Sequence, residues 1–198
     1  MFEKYESLGV VFKDKKSVFI DENVKIGKGT LIYPNVELRG NTVIGENNII
    51  ESYTIIEDSI IKDASSIGPF AHIHKDCHIA SSVVIGNYVE VKHSKIGRNT
   101  KIKHLSYVGD ALIGDFCNIG AGVVFANYKK QGAKKESTRV GDHAFIGSHA
   151  VLVAPLEIGE NAFVAASSTI TENVPSNSLA IARNRQTTKE GYLEGKKA

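Results

Sequence analysis

A chain of 198 residues is long enough for one domain that buries its own core, on the usual scale of about 100–200 residues per domain. Lys and Arg number 24 against 22 Asp and Glu, a net charge of +2 that excludes both a polycationic nucleic-acid binder and an acidic tail protein. Hydrophobic residues at 42% with only 4 Pro exclude a wholly disordered chain. No apolar run approaches the ~18 residues of a membrane span. Met1-Phe2-Glu3-Lys4-Tyr5-Glu6 lacks the basic-then-apolar layout of a signal peptide, so a cytoplasmic protein without membrane or nucleic-acid partners is expected.

Taken in chain order, the apolar residues recur every six positions: Ile20, Ile26, Ile32, Leu38, Ile44, Ile50 and Ile56. After a five-residue step come Ile61, Ile67, Ile73, Ile79, Ile85 and Val91. Two more short steps lead to Ile96, Ile102 and Val108, then to Ile113, Ile119 and Phe125. A longer interruption precedes Val140, Ile146, Leu152, Ile158, Val164 and Ile170. A six-residue stripe has no match to the 3.6-residue period of a helix. Short strands joined by tight turns do match, with one large inward residue per unit.

Gly often follows the anchor, as in Ile26-Gly27, Ile44-Gly45, Ile67-Gly68, Ile85-Gly86, Ile96-Gly97 and Ile158-Gly159. It is expected to supply the turn conformation that other residues resist. Small or β-branched residues stand four places after the anchor, among them Thr30, Thr42, Thr54, Val83, Thr100 and Ser106. Cys77 and Cys117 occupy the same slot and are expected as buried small hydrophobes, not as nucleophiles, ligands or a disulfide framework. Three units close one coil, which predicts an all-β parallel β-helix of about eight coils over about 18–175, roughly 40 Å long at the strand spacing.

Two regions leave the period. Residues 127–139, from Asn127 to Arg139, form an excursion with Lys129, Lys130, Lys134 and Lys135, expected as an extruded loop. Residues 176–198 form a polar tail suited to covering the last coil.

A smooth prism has no deep cleft, so sites are expected where copies of the chain abut, most simply in a homotrimer. His104 stands two places after Ile102, where its side chain points outward beside the loop and can act as a general base near neutral pH. Seven His invite a metal reading, but the six-residue pairs His72/His78 and His143/His149 fall on adjacent faces and diverge. A three-His zinc site between subunits stays open as an alternative.

The stretch from Ile67 to Tyr192 resembles the acetyltransferase half of the bacterial bifunctional glucosamine-1-phosphate acetyltransferase/N-acetylglucosamine-1-phosphate uridyltransferases. The runs that carry the resemblance are Ile-Gly-Pro-Phe-Ala (67–71), Gly-Asn-Tyr-Val-Glu-Val-Lys (86–92) and His-Leu-Ser-Tyr-Val-Gly-Asp-Ala (104–111). They continue with Asn-Ile-Gly-Ala-Gly (118–122), Asn-Tyr (127–128), Gly-Ser (147–148), Leu-Val-Ala-Pro (152–155) and Gln-Thr-Thr-Lys-Glu-Gly-Tyr (186–192). Weaker similarity reaches back to Gly9-Val10.

The resemblance implies a left-handed coil, a homotrimer and acetyl-CoA as co-substrate, with no metal for acetyl transfer. It implies His104 as the general base toward a sugar amine, with Glu90 and Asn127 lining the same site. It places Lys92, Tyr107, Asn118, Tyr128 and Lys135 on the sugar phosphate, with His74 where the family has an Arg. Ser148, Ala166 and Arg183 match acetyl-CoA contacts, and the N–H of Ala121 would face the developing oxyanion.

Two departures stand out. A neutral imidazole at 74 cannot reproduce a bidentate guanidinium, and the loop after Asn127-Tyr128 is two residues longer than the family's, leaving Lys134 and Lys135 as alternatives for one role. No Gly-rich nucleotide loop precedes the repeat, so a uridyltransferase activity is not expected of this chain, and a separate uridyltransferase protein is a candidate partner. The expected function is acetyl transfer to an amino-sugar phosphate, glucosamine 1-phosphate first. The alternatives are another amino sugar or nucleotide sugar, a trimeric zinc hydratase and a non-catalytic scaffold.

Overall fold

The computed structural model describes residues 2–128 and 134–192. Lys129 and Lys130 of the expected loop, and residues 193–198 of the expected tail, lie outside this range. The chain winds as a left-handed parallel β-helix whose strands, two to four residues long, fall into sheets of ten, nine and eight strands among the described residues. The chain visits sheet one, sheet two and sheet three in turn, and every strand pairs in parallel with the strand one coil away. The first strand is Val11–Phe12 and the last Leu179–Ala180, so coiling extends past both 18 and 175.

The anchors account for the register. Ile50, Ile67, Ile85, Ile102, Ile119 and Ile146 pair in succession on sheet one and project into one inner column. Every anchor from Ile20 to Ile170 is buried, none more than 5% exposed. The small-residue slot has a second use, because a hydroxyl there can bridge two coils. Thr30 Oγ1 donates to the Gly45 carbonyl (2.9 Å) and accepts from Asn48 N (3.2 Å). Thr100 repeats this with Gly114 O and Cys117 N. Cys77 and Cys117 are buried in that slot, and burial pushes both thiols up from their ordinary pKa.

The expected role of the anchor-following glycines needs correction. Gly68 does adopt positive φ, as expected, but Gly27, Gly45, Gly86, Gly97 and Gly159 do not. They are glycine because coils stack closely there: a Cβ on Gly27 would lie 2.5 Å from the carbonyl of Gly45. The left-handed turn residues stand three places after the anchor, at Asn35, Asn47, Tyr53, Phe70, Tyr88, Asn99 and Leu105 among others. Asn and Asp tolerate that conformation locally, and aromatic residues are held in it by the hydrogen bonds of the neighbouring coils.

The irregularities gather at one edge of the prism. All three five-residue steps, and the excursion after Ala126, fall between a sheet-two strand and a sheet-three strand. The N-terminal coil is closed by a short helix, Phe2–Glu6, which the repeat pattern does not announce. Its Tyr5 is buried and donates its hydroxyl to Val24 O (2.8 Å), while Phe2 packs edge-on against Phe12.

Candidate functional site

The corner between sheet one and sheet two carries one residue per coil, two places after the sheet-one anchor. Read along the prism, these are Asn87, His104, Ala121, Ser148 and Ala166. Backbone bonds join successive turns of this corner: Leu105 N to Asn87 O (3.0 Å), Gly122 N to His104 O (3.3 Å), His149 N to Ala121 O (2.7 Å) and Ser167 N to Ser148 O (2.8 Å). Pairing of Val164 with Ala180 continues the corner to Ala182, with Arg183 exposed just beyond it. His104 and Arg183 are thus about four coils apart, roughly 19 Å at the ~4.8 Å strand spacing. Past His104 the corner is built of small side chains. On its sheet-one side the exposed rings of Phe145 and Phe163 stack 4.7 Å apart, giving an apolar border.

His104 ends the strand Lys101–His104 and is exposed. Its Nδ1 lies 3.2 Å from Asn87 Oδ1, on the preceding coil. An amide oxygen only accepts, so this bond requires a proton on Nδ1 and leaves the lone pair on Nε2. The sequence reading missed Asn87; its signal was its register opposite His104, visible once the six-residue count is continued through the corner.

A second group lies on the outer face of sheet two. Glu90 pairs with Tyr107 and Lys92 with Gly109 on adjacent strands. Asn127, 6% exposed, donates from Nδ2 to Asp110 Oδ2 and to Tyr107 Oη (3.3 Å). Gly109 lies beneath this contact: a Cβ there would stand 2.6 Å from Asn127 Nδ2 and would also strike the tyrosine hydroxyl. Lys135 Nζ is 3.8 Å from the same oxygen, Asp110 Oδ2, while His93 Nδ1 is 3.7 Å from Asp110 Oδ1. Asp110 is a further residue the sequence reading missed. Of the two lysines left as alternatives, Lys135 is the one joined to this group. Exposed Tyr128 follows Asn127 directly.

His74 and Glu90 are neighbours, with His74 Nε2 2.9 Å from Glu90 Oε1 but off the hydrogen-bond direction. His72 and His74 flank Ile73 on the same face, and Glu57 approaches them from the coil before. His74 titrates below its ordinary value, first because it is partly buried and then because His72 stands beside it. Glu90 pairs with His72 and Tyr107 on the strands either side and reaches His74 with its carboxylate, and Asn118 lies on sheet one beside Lys101. A single chain therefore assembles the corner series and the sheet-two group, and leaves Asn118 around the edge from the latter.

The repeat and the coil define a hexapeptide-repeat protein. The family description "Bacterial transferase hexapeptide (six repeats)" matches residues 23–58, 58–93, 93–127 and 137–172, and the chain belongs to that family. It is 44% identical over 210 residues to "Bifunctional protein GlmU" of Alkaliphilus metalliredigens, covering 98% of this chain and 46% of that protein. It is 47% identical over 208 residues to the protein of the same name from Caldicellulosiruptor saccharolyticus, covering 96% and 44%. The chain thus spans about half the length of these relatives. Among solved structures, LpxA from Bacteroides fragilis, a UDP-N-acetylglucosamine acyltransferase, shares the fold with a TM-score of 0.74 at 20% identity, covering 84% of this chain and 70% of that one. A perosamine N-acetyltransferase of Caulobacter crescentus, solved with CoA and GDP-perosamine, gives a TM-score of 0.53 at 19% identity, covering 63% and 66%. No helix among the described residues is long and apolar enough to cross a membrane.

Proposed function

We propose that this chain transfers the acetyl group of acetyl-CoA to the amine of an amino-sugar phosphate, with glucosamine 1-phosphate as the leading acceptor. The observation that carries the reading is the corner series, in which a tautomer-fixed imidazole is followed by several coils of small residues ending at Arg183. A neutral amine attacks the thioester carbonyl, and His104 Nε2 takes the proton released from nitrogen. The C–S bond breaks as the tetrahedral intermediate collapses, and the thiolate leaves and is protonated. Backbone donors at the turn, the N–H of Ala121 among them, stabilise the oxyanion. The small corner and its phenylalanine border give the pantetheine arm a path, Ser148 and Ala166 lie along it, and Arg183 meets a phosphate of CoA.

On sheet two, Lys92, Tyr107, Tyr128 and Lys135 hold the sugar phosphate, while His74, Glu90 and Asn127 shape the pocket. Asn118 joins from sheet one of a neighbouring copy, which makes the site complete only in an oligomer. The trimer reading draws support from a column of exposed apolar side chains along the same corner. Tyr53, Phe70 and Tyr88 stack with centroids 4.8 and 5.2 Å apart, and Leu105 continues the column. The compartment is the cytoplasm, where acetyl-CoA is available.

The test is thiol release from acetyl-CoA with glucosamine 1-phosphate and with other amino sugars, for wild type and His104→Ala. Loss of the base should cost on the order of 10²–10⁴ in rate. Absence of turnover with every amine would end the enzyme reading. Efficient use of a nucleotide-linked amino sugar would move the acceptor, an outcome that His74 beside Glu90, in place of a guanidinium, keeps in view.

A further inference from the structure

Beside His74, the outer face of sheet two carries donors, His72 and Glu57, that acetyl transfer does not require. His72 and His74 flank inward-facing Ile73, so strand alternation sends both imidazoles outward, where their rings stack 3.8 Å apart. Glu57, one coil earlier, brings Oε1 to 2.8 Å from His72 Nε2 and 4.0 Å from His74 Nδ1. One ligand atom from each of the three side chains falls within 4.8 Å of the others. All three are half-buried.

Behind them, Glu90 Oε1 stands 2.9 Å from His74 Nε2, a fully enclosed nitrogen with no aligned hydrogen-bond partner. A His that presents one nitrogen to a carboxylate and the other to a metal is the usual support of a metal-ligating imidazole, because the carboxylate fixes ring and tautomer. Two imidazoles and a carboxylate suit zinc and its neighbours in the first transition row, and they leave coordination positions open.

We propose that Glu57, His72 and His74 form a two-histidine, one-carboxylate site for a divalent transition-metal ion. Resting on the acceptor reading above, the bound ion takes an oxygen of the acceptor's phosphate beside Lys92, on the next strand. An imidazole alone does not match the charge a guanidinium would offer a phosphate. A dication held by it does.

The first experiment is calorimetric titration of chelator-treated protein with Zn²⁺, together with the visible spectrum of the Co²⁺ form. One ion per chain is expected, with at least about tenfold weaker binding in His74→Ala and in the near-isosteric Glu57→Gln. Glu90→Gln should keep the stoichiometry and weaken affinity about 10–100-fold. His78→Ala, on sheet three, should change nothing. Circular dichroism melts identify variants that fail to fold, and Glu57→Gln keeps the test valid if the His variants do. No binding, or binding that survives Glu57→Gln and His74→Ala, overturns the site.

The second experiment compares metal-loaded and metal-free protein in acetyl transfer. A KM for glucosamine 1-phosphate raised at least about tenfold without metal, at constant KM for acetyl-CoA, supports the phosphate role. Equal KM values overturn that role. Specific metal binding by a protein that acetylates no amino-sugar phosphate would retain the site and overturn the acceptor reading instead.

Discussion

Asn87 offers a sharp test of how the corner works. Its amide oxygen accepts from Nδ1 of His104 at 3.2 Å, and no other role is needed to explain the contact. A typical hydrogen bond contributes about 0.5–1.5 kcal/mol net, and this one joins a half-buried group to an exposed one, so the lower half of that range applies. Asn87→Ala should therefore lower kcat/KM by about 2- to 5-fold through loss of the productive tautomer, far less than removal of the base itself. Asn87→Asp gives the discriminating result. A carboxylate stabilises the imidazolium as well as the tautomer, so the base stays protonated to higher pH and the acid limb of the kcat/KM profile moves upward. Thiol release measured from pH 5 to 9 at sub-saturating acceptor reads both effects. A merely structural asparagine would change the amplitude and leave the limb in place. Wild-type rates in Asn87→Ala together with an unmoved limb in Asn87→Asp would refute the assignment.

Other perturbations separate the two halves of the site. Gly109→Ala pushes the Tyr107 hydroxyl and the Asn127 amide apart. It should cost about 1–3 kcal/mol of stability by overpacking, measured by denaturant unfolding, and raise KM for the acceptor while KM for acetyl-CoA stays constant. Arg183→Ala should do the reverse, raising KM for acetyl-CoA well above any change for the sugar; equal effects would remove Arg183 from the cofactor path. Cys77→Ser and Cys117→Ser should both retain turnover, and native protein should react with a thiol reagent only on unfolding. Their buried, upward-shifted thiols leave no acyl-cysteine route, and loss of activity in a folded Cys77→Ser would contradict direct transfer.

The architecture was legible because one inward residue per unit is a one-dimensional signal. Ile67, Ile85 and Ile102 reveal the coil without any knowledge of which residues touch. Handedness was not legible, since a six-residue period is the same for either hand; it came from resemblance. The glycine role was misread for a related reason. Gly27 and Gly45 are required by one coil meeting the next, and a local turn argument sees only one coil at a time. The same limit explains the missed residues. Asn87 meets His104 across 17 positions, and Asn127 meets Asp110 across the same interval. His72 was compared with His78, six places on, when its partner on the same face was His74, two places on.

A three-sided coil also dictates which edge can hold which substrate. From Ile32 onward every coil has the same length at the first corner, so residues such as His104, Ala121, Ser148 and Ala166 stay in line and can follow an extended molecule over several coils. At the second corner the coils lengthen and shorten, and the loop after Ala126 leaves there. Irregularity breaks the ladder and brings unlike groups together, as Asp110, His93, Asn127 and Lys135 show. Sheet two is the strip between the two corners, with Glu90, Lys92 and Tyr107 on its outer face. A long co-substrate bound along the regular corner and a compact charged acceptor gripped from the irregular one would meet on that strip. Lengthening a coil at the first corner by one residue should therefore abolish acetyl-CoA binding, whereas the same insertion in the loop at the second corner should alter only which acceptor is used.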